Sequence, residues 1–302
     1  MSEIALSPDS RPLGKSGIMV SPIAWGMWRF AGRSADEARA LIEAAFAAGI
    51  TLFDTADIYG FDGEGGFGDA ELLLGEVFAA TPGLRDRMVL ATKGGITPPV
   101  PYDSSREYLM RALDNSLRRM RVEQVDLYQI HRPDILAHPQ EVARALDDMV
   151  ASGKVKAVGV SNYSVDQTRT LASFLTVPLV SQQPEFSALF TEPMTNGLFD
   201  QAMKHDVAIL AWSPLGGGRI ADPGTAQERA VAAALDAKAE EAGVSRTAAA
   251  YAWIMAHPVR AIPIVGTQNA QRIAEIGDVF KVKWTRTEWY DVLVASRGEK
   301  LP

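Results

Sequence analysis

The chain has 302 residues, 47% of them hydrophobic and 22% charged, which suits a soluble protein with a large buried core, built as one barrel-sized domain or two smaller ones. A formal net charge of -7 offers no general basic face to nucleic acid or anionic membrane, and the absence of cysteine excludes disulfides and thiolate metal sites. The N-terminus has neither a basic n-region nor a long apolar core, and no later segment is apolar enough to span a bilayer, so a cytoplasmic protein is expected.

Arg11 to Val20 reads as two short strands about a glycine-containing turn, a hairpin placed before the main architecture. Ile23-Ala-Trp25 then runs into Gly26, and Ser34, with Glu37 three residues on, caps a helical pattern over Ala38 to Ala48 that stops at Gly49. This strand-helix unit repeats. Ile50 to Phe53 leads to Asp54 and a helix around Glu71 to Ala79; Met88 to Thr92 leads to Lys93 and a helix from Ser104 to Met120; Val125 to Ile130 leads to His131 and a helix from Pro139 to Ala151. Val155 to Val160 leads to Ser161-Asn162 and a helix over Val165 to Phe174, and Leu179 to Gln182 leads to Gln183 and a helix over Met194 to His205. Val207 to Ala211 leads to Trp212-Ser213-Pro214, a glycine-rich loop and a helix over Thr225 to Ala242, after which Ser245 caps an extra helix to Ala256. Ile262 to Val265 leads to Gly266-Thr267 and a helix from Asn269 to about Gly277, and the tail holds one more helix over Thr285 to Ser296.

Eight apolar runs, each followed by a helix, imply parallel strands joined by right-handed crossovers. In a chain of this length the expected fold is a closed (β/α)8 TIM barrel, with an N-terminal β-hairpin and extra C-terminal helices, occupying residues 1–302 as a single domain. An open doubly wound sheet would instead show a dinucleotide fingerprint after the first strand, and Ala24-Trp-Gly-Met-Trp28 is not one.

In such a barrel the residues just past each strand face one another across one mouth. Here they are Asp54, Tyr59, Lys93, His131, Ser161, Asn162, Gln183, Trp212 and Thr267. Four of them form a set suited to protonating a carbonyl oxygen. A free tyrosine, with a pKa of about 10, is a poor acid near neutrality; a neighbouring lysine cation lowers that value, and Asp54 can pair with Lys93 and hold it in place. His131 can orient the oxygen from a neutral ring. No strong nucleophile stands beside a base, so covalent hydrolysis is disfavoured, and the electron pair has to come from a cofactor.

Phe53-Asp-Thr-Ala-Asp-Ile-Tyr-Gly60, Ala91-Thr-Lys-Gly94, Tyr128-Gln-Ile-His-Arg-Pro133, Gly159-Val-Ser-Asn-Tyr163, Ala211-Trp-Ser-Pro-Leu215 and Ile262-Pro-Ile-Val-Gly-Thr267 together resemble the successive motifs of the aldo-keto reductases. The likeness runs from the hairpin to the last helix. The Gly216-Gly-Gly-Arg219 loop and the Tyr251-Ala-Trp253 segment are most similar to the bacterial oxidoreductases of that family that include the YdhF-like proteins. The resemblance implies an NADPH-dependent reductase of aldehydes or ketones, with Tyr59 as general acid, Asp54 and Lys93 tuning it, and His131 orienting a small carbonyl substrate; independently of it, Trp25, Trp28 and Phe61 read as an apolar wall for substrate or as packing on the barrel, with Trp28 the best wall candidate. It further implies that Ser161, Asn162 and Gln183 hold the nicotinamide carboxamide, that Trp212 stacks on the ring, and that Gly26 and Met27 border the nucleotide. Ser213, Pro214, Leu215, Gly216, Gly218 and Arg219 would wrap the pyrophosphate, and Gly266, Thr267, Gln268, Arg272 and Glu275 would line the adenosine 2'-phosphate end. The chain departs from the family pattern with Trp at 212 in place of Tyr, Gly266 where many members carry lysine, and Ile276 where asparagine often meets adenine.

Gly60 to Gly68 is glycine-rich, but it lacks the lysine and hydroxyl of a phosphate cradle, and Asp62 and Glu64 would repel phosphate; it reads as a flexible loop beside the mouth. His138, His205 and His257 lack ligand spacing, so no metal site is expected. Two rival readings remain open: a nucleotide-binding regulatory subunit of the same fold with slow turnover, and a metal-dependent barrel hydrolase or isomerase, which chelator would inactivate. Oligomeric state is not encoded in any motif.

Overall fold

The computed structural model describes residues 3–301; Met1, Ser2 and Pro302, the ends of the expected single-domain span, lie outside the described residues. Arg11–Pro12 (β1) and Met19–Val20 (β2) pair antiparallel around a 3-10 turn at Gly14–Ser16. Gly14 is required there: it adopts φ 52°, and a Cβ would strike the backbone carbonyl oxygens of Val180 and Asp206. The hairpin seals the amino end of the barrel, where Leu13 and Val20 are fully buried against Ala24, Leu52, Leu127 and Ile262.

The units then follow in order: Ala24–Gly26 (β3), Ala35–Ala47 (α1), Leu52–Asp54 (β4), Asp69–Ala80 (α2), Val89–Gly94 (β5), Arg106–Met120 (α3), Val125–Ile130 (β6), Pro139–Ala151 (α4), Val155–Ser161 (β7), Val165–Phe174 (α5), Leu179–Gln183 (β8), Leu198–His205 (α6) and Ala208–Ala211 (β9). Ala226–Ala242 (α7), Arg246–Ala256 (α8), Ile262–Val265 (β10), Ala270–Ala274 (α9) and Arg286–Arg297 (α10) complete the chain. Strands β3 to β10 close into an all-parallel barrel in sequence order, β10 pairing with both β9 and β3. This is the expected (β/α)8 fold, hairpin and extra C-terminal helices included.

Helix starts follow local chemistry. Ser34, Ser164, Thr225 and Thr285 each form a reciprocal capping box with the Glu or Gln three residues on, while Ser105 and Ser245 cap α3 and α8 through their hydroxyls. Each such cap stabilises its helix by about 1 kcal/mol. Helix α10 closes on α8 through the Trp253 and Trp289 rings, stacked at 4.8 Å, each indole N–H donating to the other's carbonyl at 3.0 Å.

Two expected helices are shorter than their patterns. The one expected over Met194 to His205 begins at Leu198, because Pro193 sits in a separate 3-10 turn and Gly197 takes φ 86°. The one expected over Asn269 to Gly277 is a single α-helical turn, α9, followed by a 3-10 stretch at Glu275–Lys281. Ile273, Ile276 and Val279, all buried, recur every three residues, which is the 3-10 period and not the α period.

Within the barrel, side chains of alternate residues point inward. Leu52, Ala91, Leu127 and Ala157 form an apolar floor, and the next inward position along the same strands carries Asp54, Lys93, Gln129 and Gly159. The two-residue period thus stacks a polar layer directly on the apolar one at the carboxyl end.

Candidate active site

Lys93, at the end of β5, is fully buried, and its ammonium reaches three acceptors: Asp54 Oδ2 at 2.6 Å, the Thr55 carbonyl at 2.8 Å and the Tyr59 hydroxyl at 3.0 Å. Burying a cation this deeply requires paired charge and full hydrogen bonding, and both are present. Asp54 in turn accepts through Oδ1 from Gln183 Nε2 at 3.0 Å and from Gln129 Nε2 at 3.4 Å. The turn after β4 is tied down by the Thr55 and Asp57 amides, which donate to the carbonyls of Ala91 and Lys93. Tyr59 is thereby brought back over the mouth.

The Tyr59 ring stands edge-on to Trp28 at 5.1 Å and to His131 at 5.8 Å. Trp28 is 60% exposed, as an apolar wall for a ligand should be. Burial, with Lys93 and Arg132 adding to it, holds the His131 imidazole well below its ordinary pKa, so the ring is neutral near pH 7. Its Nδ1 is buried without a protein partner. Burial also raises the Tyr59 phenol above its ordinary value; Lys93 is the principal opposing influence, and Asp54 works against it. The lysine lowers the pKa as the sequence led us to expect, but desolvation outweighs it. For Lys93 the charges of Asp54 and Tyr59 overcome burial and raise its pKa, so the ammonium persists.

Ser161, Asn162, Gln183 and Trp212 also converge. Ser161 Oγ donates to the Gln183 carbonyl at 2.8 Å, Asn162 Nδ2 donates to Ser161 Oγ at 2.7 Å and to the His131 carbonyl at 3.3 Å, and the Trp212 indole donates to Asn162 Oδ1 at 2.9 Å. Asn162 adopts φ 59°, which turns its side chain across the strand ends. The half-buried Trp212 ring is thus fixed in orientation.

Ser213, at φ 48°, begins the next loop, with Pro214 buried and Leu215 half-buried behind it. Gly216, Gly217 and Gly218 all take positive φ, and the Cβ positions of the last two face open space. Arg219 folds back, Nε to the Gly216 carbonyl at 2.8 Å and Nη1 to Glu228 at 3.2 Å. Past β10, Gly266 is exposed, the Thr267 carbonyl accepts from the Trp25 indole at 2.9 Å, and Gln268 bridges the Gly26 carbonyl and Arg33. Asn269 caps α9 by accepting from the Arg272 amide, and among the described residues the exposed Arg272 side chain is held in no ion pair. Glu275 is exposed and accepts from Gln271.

Not every expected contact has a side chain in place. Met27 is fully buried, its amide donating to the Asp54 carbonyl at 2.9 Å, and Gly26 lies tight against Ile264, where a Cβ would come within 2.7 Å of Cγ2. Ile276 faces the core. The loop from Gly60 to Gly68 is braced by its own bonds, with Asp62 Oδ1 accepting from the Glu64 and Gly65 amides. Gln129, Ser181 and Arg132 escaped the sequence reading. Gln129 and Ser181 extend the polar layer, joined at 3.2 Å, and were signalled only as polar residues inside apolar runs. Arg132 follows His131 directly, and its guanidinium lies 5.4 Å from the Trp212 ring. A cleft of about 550 Å3 lined by Phe78, Arg85, Arg121 and Asp126 opens at the amino ends of the strands and contains none of these groups.

Comparison with known proteins follows the same lines. The Aldo/keto reductase family model matches residues 22–293. Over the full length of both chains the protein is 60% identical to a 6-dehydroglucose reductase of Novosphingobium aromaticivorans. It is 31% identical to the oxidoreductase YdhF of Escherichia coli, covering 96% of this chain and 98% of that one, so the YdhF likeness holds but is the weaker of the two. The solved structure of a glycerol dehydrogenase from Gluconobacter oxydans superposes with a TM-score of 0.84 at 26% identity, covering 98% of each chain. The chain belongs to the aldo/keto reductase family and is an NAD(P)H-dependent oxidoreductase.

Proposed function

We propose that the protein, acting as one catalytic domain, is an NADPH-dependent reductase of aldehydes and ketones in which Tyr59 protonates the carbonyl oxygen. The observation that carries this reading is the buried chain from Asp54 through Lys93 to the Tyr59 hydroxyl at 2.6 and 3.0 Å, opening between Trp28 and His131. A hydride for the carbonyl carbon is what the nicotinamide supplies when bound. The donor set fits that group. Gln183 uses Nε2 on Asp54 and keeps Oε1 to accept from a carboxamide, while Trp212 presents a ring face held by Asn162. The open backbone at Gly217 and Gly218 suits a pyrophosphate. His131, neutral, orients the oxygen, and Tyr59 delivers the proton as charge develops there.

Two features favour a hydroxylated carbonyl substrate, of the kind named for the 60%-identical relative. Trp28 offers a broad face on which a sugar ring can lie, and Arg132 adds guanidinium donors that no carboxylate among the described residues holds, suited to hydroxyl oxygens. NADPH oxidation measured across simple aromatic aldehydes, diketones and aldehydic sugars tests the reading: turnover is expected throughout, with the sugars favoured in kcat/KM. Cofactor binding without turnover on any of them would transfer the assignment to a nucleotide-binding regulatory protein.

The preference for NADPH over NADH rests on Arg272. Helix α9 is only five residues long, so its dipole adds little, and the Arg272 amide is taken by Asn269. The guanidinium is free to grip a 2'-phosphate through paired bonds. One or two charged hydrogen bonds correspond to roughly 1.5–3 kcal/mol. Titration of both cofactors should show Arg272→Ala losing NADPH affinity by that amount while NADH binding barely changes, and the wild-type preference should weaken with salt. Equal losses for both nucleotides would show that Arg272 does not read the phosphate.

A further inference from the structure

Outside the barrel wall, between β5, β6 and the helices α2 and α3, lies a second group of ionisable side chains that the proposed reaction does not use. Asp57 is 1% exposed, and among the described residues neither of its carboxyl oxygens has a well-formed hydrogen-bond partner. Facing it from β6 is the Tyr128 hydroxyl, also buried and unpartnered. Both converge on Gly94, where a Cβ would strike the Tyr128 hydroxyl and come within 3.2 Å of Asp57 Oδ2. From α2 comes Glu71, fully buried, and from α3 come Arg119 and Tyr108.

The cations here are already committed. Arg119 donates to Glu71 through Nε at 2.8 Å and Nη2 at 2.6 Å, and Thr92 adds a bond to the same carboxylate at 2.6 Å. Lys93, on the other face of β5, is held by Asp54, Thr55 and Tyr59. An ionised Asp57 would be a buried charge with no counterion of its own and only the adjacent Ile58 amide to ease it, and such a group takes up a proton instead.

We propose that Asp57 carries a proton at neutral pH and that its neutrality lets the Asp54–Tyr59 turn stay packed against the barrel, which makes it a positioning residue for that turn. Burial and the Glu71 charge both push its carboxyl well above the usual carboxylate range, with Arg119, the Ile58 amide and Lys93 opposing. The turn is short and carries the whole proton-donating apparatus. The Asp57 amide donates to the Lys93 carbonyl at 3.0 Å, the Thr55 carbonyl accepts from the Lys93 ammonium, and the Tyr59 carbonyl accepts from Ala70 at 3.1 Å. Charging Asp57 draws water into the pocket beside Gly94 and displaces the segment that sets the Lys93-to-Tyr59 contact. The kinetic consequence rests on the role proposed for Tyr59; the protonation of Asp57 does not.

Asp57→Asn keeps the shape and neutrality of the protonated acid, whereas Asp57→Ala removes both. A proton bound in the folded chain but not in the unfolded one stabilises fully below the ordinary carboxyl range and is lost as pH rises toward the raised folded value. Denaturant unfolding of the full chain from pH 5 to 7 should therefore show the wild-type folding constant falling about tenfold per pH unit relative to Asp57→Asn. The infrared carbonyl band of a protonated carboxyl should be present in wild type at pH 7 and missing from Asp57→Asn. In turnover, Asp57→Asn should stay near wild type, and Asp57→Ala should lose about 10- to 100-fold in kcat with little change in KM. Parallel stability curves, absence of the infrared band, or an Asn variant as impaired as the Ala variant would each overturn the proposal. If Asp57→Ala does not fold, the band and the wild-type-to-Asn difference still decide it. A Tyr59→Phe variant that kept full activity would sink the catalytic reading and leave the infrared result standing.

Discussion

Replacing Tyr59 by Phe is expected to lower carbonyl reduction about 10²- to 10⁴-fold while leaving the fold and cofactor affinity in place. The ring is 8% exposed and packs through its edges on Trp28 and His131, contacts that Phe preserves. What disappears is the hydroxyl, bonded to Lys93, and the lysine keeps Asp54 and the Thr55 carbonyl. The stability cost is that of one lost acceptor for a charged donor, about 1–3 kcal/mol. Steady-state kcat for an aldehyde, measured beside the dissociation constant for NADPH, separates the two effects. A variant with near-wild-type kcat would remove Tyr59 from the role of acid.

The direction of the Tyr59 shift bears on how the proposed acid would work. A phenol raised by burial remains protonated throughout the neutral range, which is the form needed for reduction. The same shift hinders the reverse reaction, in which the phenolate must accept a proton. Lys93 moderates the penalty by stabilising the phenolate from 3.0 Å, and it lies 4.7 Å from the centre of the same ring.

The strands were legible because a parallel barrel buries both faces of each strand, so every one reads as an apolar run. The helix starts were legible because Ser34, Ser164, Thr225 and Thr285 cap through local bonds that need no tertiary contact. The polar layer was legible where it falls at a strand end, as with Asp54, Lys93 and Gln183, since there the apolar run breaks visibly. Gln129 and Ser181 point inward from within their runs, and a single polar residue in a strand does not declare its face. Arg132 and Asp57 were hidden for another reason: each follows a strand end in a segment whose side-chain directions are set by turns. Asp57 looks like a loop spacer in Asp54-Thr-Ala-Asp-Ile-Tyr59, and only the assembled fold shows it alone among committed cations. Helices α6 and α9 were misjudged in length because Gly197 and the three-residue spacing of Ile273, Ile276 and Val279 act on backbone conformation inside patterns that otherwise read as helical.

Lys93→Met should be as damaging to turnover as Tyr59→Phe, and for a different reason. Met fills most of the volume of the lysine stem, but the cation that lowers the Tyr59 pKa is gone, so the phenol becomes a still weaker acid and the alkaline fall in reduction moves to higher pH. The variant also leaves Asp54, 2% exposed, without its counterion. Breaking a buried pair in this way costs about 3–5 kcal/mol of stability, so loss of activity alone does not distinguish lost chemistry from a weakened fold. The double variant Asp54→Asn/Lys93→Met resolves the two. The neutral amide removes the unpaired charge and can still accept from Gln183 through its carbonyl, so the melting temperature should recover most of what the single variant loses. Activity should not return, because the phenol still lacks its cation. If the double variant regained turnover along with stability, Lys93 would be a structural counterion to Asp54, and the tuning of Tyr59 would have to come from elsewhere in the mouth, where Arg132 also lowers its pKa.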